Sequence, residues 1–198
     1  MRRSIFPFLL VAVGIGGLLE PPHAAAVPVL NPSNGHFYEV VLPANGSEWA
    51  EGLAAASAST FLGRRGHLAT ITSASENLFV TELLLAHPDA RVWVGGLQPD
   101  NASGPDDLWS WITGEPFVFE NWSRGEPNNA GFTEAFGNVE NRLLLASPAD
   151  SETNEFGIRW LDAQDSRQQG YVVEYVTVPP TLIIVILSLV IPLGRFSR

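Results

Sequence analysis

The chain lacks cysteine and lysine, and each absence excludes a class of function. Without cysteine, its 198 residues hold no disulfide bond, no zinc–thiolate site and no thiol nucleophile. All 11 basic residues are arginines, and 21 Asp and Glu residues give a formal net charge of -10. Such a chain repels polyanions and offers no basic stripe, so no nucleic acid is expected as its partner.

Histidine is also scarce, and its positions exclude the usual metal and catalytic patterns. The four histidines are scattered along the chain without His-x-x-x-His spacing, and the serines have no nucleophile-elbow context. No enzyme is therefore predicted. Hydrophobic residues make up 45% of the chain and charged residues 16%, which is enough apolar surface for one packed domain without disulfides.

The N-terminal residues 1–26 have the features of a signal peptide. Arg2 and Arg3 form a basic start, residues 5–19 are largely apolar, and Ala24 to Ala26 offer a small-residue cleavage site. The apolar run is short for a membrane span. Export is therefore the expected fate of the chain.

The C-terminal residues 177–198 carry a second targeting pattern. Pro179 and Pro180 precede an apolar stretch, residues 181–194, and the chain ends in two arginines separated by Phe196 and Ser197. This arrangement resembles the PEP-CTERM sorting signal of Gram-negative bacteria, although Val-Pro-Pro-Thr replaces Pro-Glu-Pro. The resemblance implies a cell-surface or extracellular-matrix protein, and a plain membrane anchor is the alternative.

Between these ends, residues 27–35 form a lead-in and residues 36–176 form one domain of class α+β. A cap at Ser47 predicts a helix over about 47–60, and Ser73 with Glu76 at capping-box spacing predicts a helix over about 74–86. We expect the first strand to pair with the last. The predicted strands are 36–41, 66–71, 92–94, 139–145, 159–162 and 170–175.

Residues 98–137 form a long segment rich in Gly, Pro, Asn and Asp, with tryptophans among them. A long irregular loop in a compact domain is usually functional or disordered. Large aromatic side chains favour burial, so we interpret this segment as an ordered functional loop. Core packing, rather than stacking on a ligand, is predicted for Trp93, Trp109, Trp111, Trp122 and Trp160.

In their order and spacing, several motifs resemble the C-type lectin-like domain. They are Gly66 to Ile71 followed by Ser75-Glu76-Asn77, then Trp93 to Leu97, Trp109-Ser110-Trp111, Asn121-Trp122, Gly125 to Asn129, Trp160-Leu161-Asp162 and Gly170 to Tyr175. The resemblance covers residues 36–175. It implies a double-loop fold, two helices on antiparallel strands, and a long loop that binds ligand rather than catalysing a reaction.

The resemblance also implies a calcium site that binds a carbohydrate or surface glycan. Glu126, Asn128, Glu134 and Asp162 fall on Ca²⁺ ligands of the family, and Pro127 falls on its cis proline. In calcium-dependent members, Glu-Pro-Asn accompanies mannose- or glucose-type sugars. These oxygen donors suit calcium, which takes six to eight oxygen ligands. A turn is the simpler interpretation of Glu126-Pro127-Asn128 taken alone.

Two departures keep alternatives open. Leu161 stands where the family has an asparagine ligand, so an asparagine there would add one oxygen, and Gln98 stands where a second calcium site has an aspartate. A calcium-independent scaffold that binds protein or forms surface structure is the main alternative. The remaining alternative is a glycoside hydrolase in which Glu126 and Glu134 form the carboxylate pair. Metal ligation explains these two residues better.

Export makes a direct prediction about the mature chain. Mass spectrometry of the native protein should find a new N-terminus near Val27 and show whether the C-terminus is trimmed near Pro179. An intact Met1 recovered from a cytoplasmic fraction would contradict the signal peptide.

Overall fold

The structure, a computed structural model, describes residues 27–129, 140–146 and 158–176, and in these ranges the domain is of class α+β, as predicted. Helix α1 spans Trp49–Ala58 and helix α2 spans Ala74–Leu84. The strands are β1 Val29–Leu30, β2 Phe37–Val41, β3 Thr60–Phe61, β4 Arg64–Leu68, β5 Arg91–Leu97, β6 Ser110–Trp111, β7 Arg142–Ala146, β8 Arg159–Ala163 and β9 Gly170–Tyr175.

The sheet is organised around the last strand, β9. Strand β2 pairs with β9 in antiparallel register from Phe37 opposite Tyr175 to Val41 opposite Tyr171, which confirms the predicted pairing of first and last strands. Strand β4 also pairs antiparallel with β9, whereas β5 lies parallel to it. The main path then continues from β5 to β7 and β8, which brings β8 to one edge.

The two helices begin differently from each other. Ser73 caps α2 as predicted, and its Oγ accepts a hydrogen bond of 3.3 Å from the backbone N–H of Glu76. The prediction that Ser47 caps α1 is wrong. Glu48 is the N-cap residue, and its backbone N–H donates to Glu51 Oε2 at 3.0 Å. The backbone of Ser47 instead exchanges hydrogen bonds with Gln169.

The predicted core tryptophans are packed inside the domain. Trp93 and Trp160 are fully buried, Trp109 and Trp111 are also buried, and Trp122 is half-buried against them. Two indoles tie α1 to β5, because Trp93 Nε1 donates to the carbonyl of Ser47 at 2.8 Å and Trp49 Nε1 donates to that of Val94 at 2.9 Å. These buried N–H groups are therefore satisfied, as buried polar groups require.

The two targeting segments, residues 1–26 and 177–198, lie outside the described residues. Within the described ranges, neither helix has the length and apolar character that crossing a membrane requires.

The contact between α1 and β4 depends on a glycine. A Cβ placed on Gly66 would lie 2.6 Å from Val173 Cγ1 and 2.8 Å from the carbonyl oxygen of Ala56. Overpacking of this kind costs about 1–3 kcal/mol. We therefore expect Gly66→Ala to lower the free energy of unfolding by that amount, measured by urea denaturation.

The matched control is Gly52→Ala within α1, where the nearest atoms of Tyr171 lie at 3.4 Å. Alanine is the better helix former by about 1 kcal/mol, so this variant should be as stable as the wild type or more so. Equal destabilisation by both substitutions would contradict the proposed packing.

Candidate functional site

The end of the long loop is held against strand β8. Trp122 forms a parallel bridge with Trp160. The backbone N–H of Ser123 donates to the carbonyl of Trp160 at 2.9 Å, and the N–H of Trp160 donates to that of Asn121 at 3.0 Å. Residues 121–123 therefore run alongside β8, and the residues that follow them reach the next part of that strand.

Aromatic rings fix the rest of this loop. The rings of Trp111 and Trp122 each lie 5.7 Å from that of Trp160 in edge-on contact. The Nε1 of Trp160 donates to Asn77 Oδ1 of helix α2 at 2.9 Å. The aromatic side chains of the loop therefore pack on one another and on Trp160 of β8. The members of this cluster are Trp109, Trp111, Phe117, Phe119, Trp122 and Trp160.

Beyond this anchor, the Glu126-Pro127-Asn128 turn meets Asp162 of β8. The Glu126–Pro127 peptide bond is cis, in agreement with the family resemblance. Asp162 Oδ2 accepts two backbone hydrogen bonds, from Asn128 N at 3.0 Å and Asn129 N at 2.7 Å. Charge-assisted bonds of this kind are strong and directional. Three of the predicted site residues are thus brought together.

One carboxylate oxygen of Glu126 and one of Asp162 have no hydrogen-bond partner among the described residues. Glu126 Oε2 and Asp162 Oδ1 are buried, and neither accepts a hydrogen bond from any described residue. A buried acceptor without a partner costs about 1–3 kcal/mol, and more when it is charged. Two such oxygens in one loop indicate a position that a shared proton or a bound cation would stabilise.

The electrostatics of Glu126 agree with this geometry. Burial raises the pKa of Glu126 to about 8, and the adjacent Asp162 and Glu140 carboxylates act in the same direction. The Asn128 side chain acts in the opposite direction without offsetting them. The carboxylates are therefore close enough to disfavour simultaneous ionisation, and a bound cation would relieve this repulsion.

Glu140 is the site residue that the motif comparison missed. It is buried, it lies close enough to act electrostatically on Glu126, and its backbone N–H donates to Asn129 Oδ1 at 3.1 Å. Glu134, the carboxylate predicted from its spacing to Glu126, lies outside the described residues. The feature that could have identified Glu140 is its position two residues before β7. Because β7 pairs with β8, Glu140 lies towards Asp162.

Leu161 does not face the position of a missing ligand. Side chains alternate between the two faces of a strand. Trp160 packs in one core cluster, whereas Leu161 and Ala163 pack in the other, so Asp162 shares the face of Trp160. Leu161 is 8% exposed. An asparagine at 161 would therefore bury its amide in the core. The expectation that it would add one oxygen ligand to the site is not supported by this geometry.

Gln98, at the other family departure, has a structural role. It is buried, and its Nε2 donates to the carbonyl oxygens of Gly104, Pro105 and Asp107 at 2.7, 3.1 and 2.6 Å. The amide thus holds the start of the long loop closed. A side-chain N–H donor, rather than a carboxylate, occupies this position.

A second polar cluster joins the start of β2 to helix α2 and strand β9. His36, Glu76 and Glu174 place ligand-type atoms within 4.8 Å of one another. Glu76 accepts from Asn34, Thr72 and the hydroxyl of Tyr38. Both oxygens of Glu174 also have partners, His36 Nδ1 at 2.6 Å from one and Thr70 N at 3.0 Å from the other. Because every carboxylate oxygen is already satisfied, we interpret this cluster as structural.

Glu76 was predicted only as a capping residue, and that prediction is wrong, because its carboxylate accepts from the backbone N–H of Thr72 and not from that of the N-cap residue Ser73. It is buried, and burial raises its pKa. The hydrogen bond with Glu174 raises the pKa of His36. Burial alone would raise the pKa of Glu174, but the hydrogen bonds from His36 and Thr70 outweigh it and leave the pKa below its ordinary value. Their hydrogen bond therefore favours the charged forms of both His36 and Glu174.

A surface groove of about 480 Å³ lies elsewhere, between the turns at 86–91 and 168–170. It is lined by Leu42, His87, Asp89 and Arg91 among others. None of Glu126, Asn128 or Asp162 lines it, so the unpartnered carboxylate oxygens lie outside this groove.

Sequence comparisons identify the domain. Residues 59–156 match the family model described as the Lectin C-type domain. Ladderlectin of Oncorhynchus mykiss is 34% identical over 70 residues, which cover 34% of this chain and 35% of that protein. C-type lectin domain family 4 member K of Homo sapiens is 35% identical over 87 residues, which cover 42% of this chain and 24% of that protein. The matched region thus spans about a third and a quarter of these two relatives.

Solved structures show the same fold. The C-type lectin domain of murine dendritic cell inhibitory receptor 2, in complex with an N-glycan, has a TM-score of 0.53 and 22% identity, covering 72% of this chain and 91% of that one. Human lithostathine has a TM-score of 0.57 and 18% identity, with coverage of 82% and 99%. A calcium-independent type II antifreeze protein has a TM-score of 0.54 and 18% identity, with coverage of 80% and 100%. The chain contains a C-type lectin domain, and the predicted double-loop fold is confirmed.

The His36–Glu174 pair makes stability depend on pH. Because the folded pKa of His36 is raised, its contribution is full below the unfolded pKa of about 6.5 and is lost as pH rises through the folded value. The lowered pKa of Glu174 keeps that carboxylate charged over this range. We expect the stability advantage of wild type over His36→Gln to be larger at about pH 6 than at about pH 9.

Urea unfolding at the two pH values measures this difference. His87→Gln, on the turn after α2, is the control for loss of a half-buried histidine outside the cluster. An advantage that is equal at both pH values would show that the His36–Glu174 pair is not charged in the folded chain.

Proposed function

We propose that this C-type lectin domain binds glycans through a calcium ion held by Glu126, Asn128, Glu140 and Asp162. The observation that supports this most strongly is the pair of buried carboxylate oxygens, Glu126 Oε2 and Asp162 Oδ1, without hydrogen-bond partners among the described residues. A cation between these groups would offset both the desolvation and the mutual repulsion that raise the pKa of Glu126.

The donor set fits calcium in its chemistry. Calcium prefers oxygen ligands and tolerates irregular geometry, and carboxylate and amide oxygens with water are its usual partners in proteins. Bound calcium would supply coordination positions that sugar hydroxyls take in place of water. The carboxylates and the Asn128 amide would then also accept and donate hydrogen bonds to those hydroxyls, so one set of residues serves both partners.

The chain's own loop geometry orders this set before any ligand arrives. The backbone N–H groups of Asn128 and Asn129 hold Asp162 Oδ2, which leaves Oδ1 as the oxygen that is available. Because strand β8 and the aromatic cluster fix both sides of the turn, little conformational entropy is lost on binding. Preorganisation of this kind strengthens binding without adding contacts.

We assign the third carboxylate to Glu140 and propose mannose- or glucose-type sugars as the ligand class. Glu140 is supported by its burial beside Glu126 and its bond to Asn129. Glu134 is the competing assignment, and it is supported by the family spacing alone. The sugar class follows from Glu126-Pro127-Asn128, and glycan binding by a relative of the same fold is consistent with it.

We also propose that the domain acts outside the cytoplasm and is held at the cell surface through residues 177–198. The support is the pattern of a signal peptide at one end and of a Pro-Pro, apolar and basic segment at the other. A surface-held lectin domain would bring the cell into contact with glycans or with the matrix around it.

A calcium-independent scaffold that binds protein is the second candidate. Leu161 supports it, because the residue that would be an asparagine ligand is instead packed in the core. The likeness to a calcium-independent type II antifreeze protein shows that the same fold exists without calcium dependence. Fold alone therefore does not decide between the two candidates.

Calcium should raise the melting temperature of the protein if the site is formed as proposed. Ligand binding to the folded state stabilises by mass action, by about 2.7 kcal/mol at 100 times the dissociation constant. We expect Glu126→Gln and Asp162→Asn each to abolish the rise at millimolar calcium, because each removes a charged ligand with little change in shape. Binding to mannose and glucose polymers should be lost in the same variants.

Two glutamate variants discriminate between the assignments, and a third is the control. Glu140→Gln should abolish the calcium response and Glu134→Gln should leave it, whereas the reverse result would reassign the third ligand. Glu120→Gln, at an exposed position on the same loop, should behave as wild type. A wild-type protein with no calcium response that still binds a protein partner would favour the scaffold.

A further inference from the structure

The turn between β8 and β9, residues 164–169, is fixed from two sides. Asp165 accepts hydrogen bonds of 3.1 Å from the backbone N–H groups of Trp49 and Ala50, at the start of helix α1. Gln169 exchanges backbone hydrogen bonds with Ser47 at 2.8 and 2.9 Å. Because the start of α1 and Ser47 just before it hold the two ends of this turn, the three residues between Asp165 and Gln169 have a defined position in the fold.

Arg167 is the middle one of these three residues, and it pairs with a carboxylate of the proposed site. Its Nη2 donates to Glu140 Oε1 at 3.0 Å. The Glu140 side chain is only 6% exposed, whereas that of Arg167 is 38% exposed. A buried carboxylate needs a compensating charge, and the guanidinium supplies it from the solvent side. Glu126 Oε2 and Asp162 Oδ1, by contrast, accept no hydrogen bond from any described residue.

We infer that Arg167 is a built-in counter-cation of this site, which competes with calcium for Glu140. This inference rests on the proposed function. A divalent ion and a guanidinium repel each other at contact distances, and both are attracted to the same carboxylate. Calcium binding at Glu140 therefore requires Arg167 to leave it.

The exposure of Arg167 makes this exchange feasible. A long, partly exposed arginine can turn its charged end into water while its aliphatic stem stays in place. The turn that carries it need not move, because its anchors at Ser47, Trp49 and Ala50 involve other residues. Arg167 would thus keep Glu140 neutralised when calcium is scarce and set the calcium concentration at which the site fills.

The test measures calcium binding by the full chain, by calorimetry and by melting temperature, in wild type, Arg167→Gln and Arg65→Gln. Glutamine retains a hydrogen-bond donor for Glu140 but removes the charge. We expect Arg167→Gln to bind calcium at least about tenfold more tightly, since it removes a close positive charge from the site. Arg65→Gln changes the net charge equally at an exposed position on β4 and should bind as wild type.

A second readout needs no calcium. Without calcium, Arg167→Gln should melt below wild type because Glu140 loses its counter-charge, and in the Glu140→Gln background the same substitution should have little effect. Such a double-mutant cycle isolates the energy of this one pair.

The outcomes separate the two proposals. If wild type binds calcium and Arg167→Gln binds it no more tightly than Arg65→Gln does, Arg167 is not a competitor and this inference is overturned alone. If only Arg167→Gln binds calcium, competition is supported and the wild-type chain is calcium-independent. If no variant binds calcium, both the proposed calcium site and this inference are wrong.

Discussion

Buried carboxylates in a chain with few cations are the constraint on which the rest of this structure depends. Four carboxylates are buried in the described ranges: Glu76, Glu140, Asp162 and Glu174. Each of them needs a partner, because an unpaired charge in a protein interior is strongly unfavourable. Glu174 is paired with His36, Glu76 is surrounded by hydroxyl and amide donors, and Glu140 has Arg167. Only Asp162, together with Glu126, is left with unsatisfied oxygens. The candidate site is thus the place where buried carboxylate oxygens have no partner among the described residues.

The fold brings these carboxylates together through a chain of packing contacts. Strand β9 orders the sheet, β8 lies at its edge, and the aromatic cluster around Trp160 holds the long loop on β8. The turn at the cis Glu126–Pro127 peptide bond comes shortly after this anchored segment in the chain, and it contacts Asp162. Neutral aromatic packing therefore positions the polar groups of the site, which explains how a loop rich in turn-forming residues can present a defined set of oxygens.

Much of the fold could be predicted from the sequence, because local signals and burial agree there. The Ser73 cap, the strand at 170–175 and the buried tryptophans follow from side-chain chemistry that acts over a few residues. Other features depend on tertiary contacts that no local pattern encodes. Ser47 is a good N-cap residue, yet its backbone is engaged by Gln169, and Glu48 caps the helix instead. The part played by Glu76 follows from Tyr38 and Asn34, which are about forty residues away in the chain.

The candidate site likewise contains residues that local motifs predict and residues whose roles depend on tertiary contacts. Glu126, Asn128 and Asp162 were predicted from motif order, and the structure places them together. Glu140 was missed because its role arises from the pairing of β7 with β8, and the inward packing of Leu161 follows from strand alternation rather than from residue type. The central claim is that the residual charge of this loop is matched by one bound cation. A calorimetric titration of the full chain with calcium tests it most directly. The account predicts saturable binding of about one ion per chain, reversed by a chelator; the absence of any binding heat at millimolar calcium, with the protein folded, would contradict it.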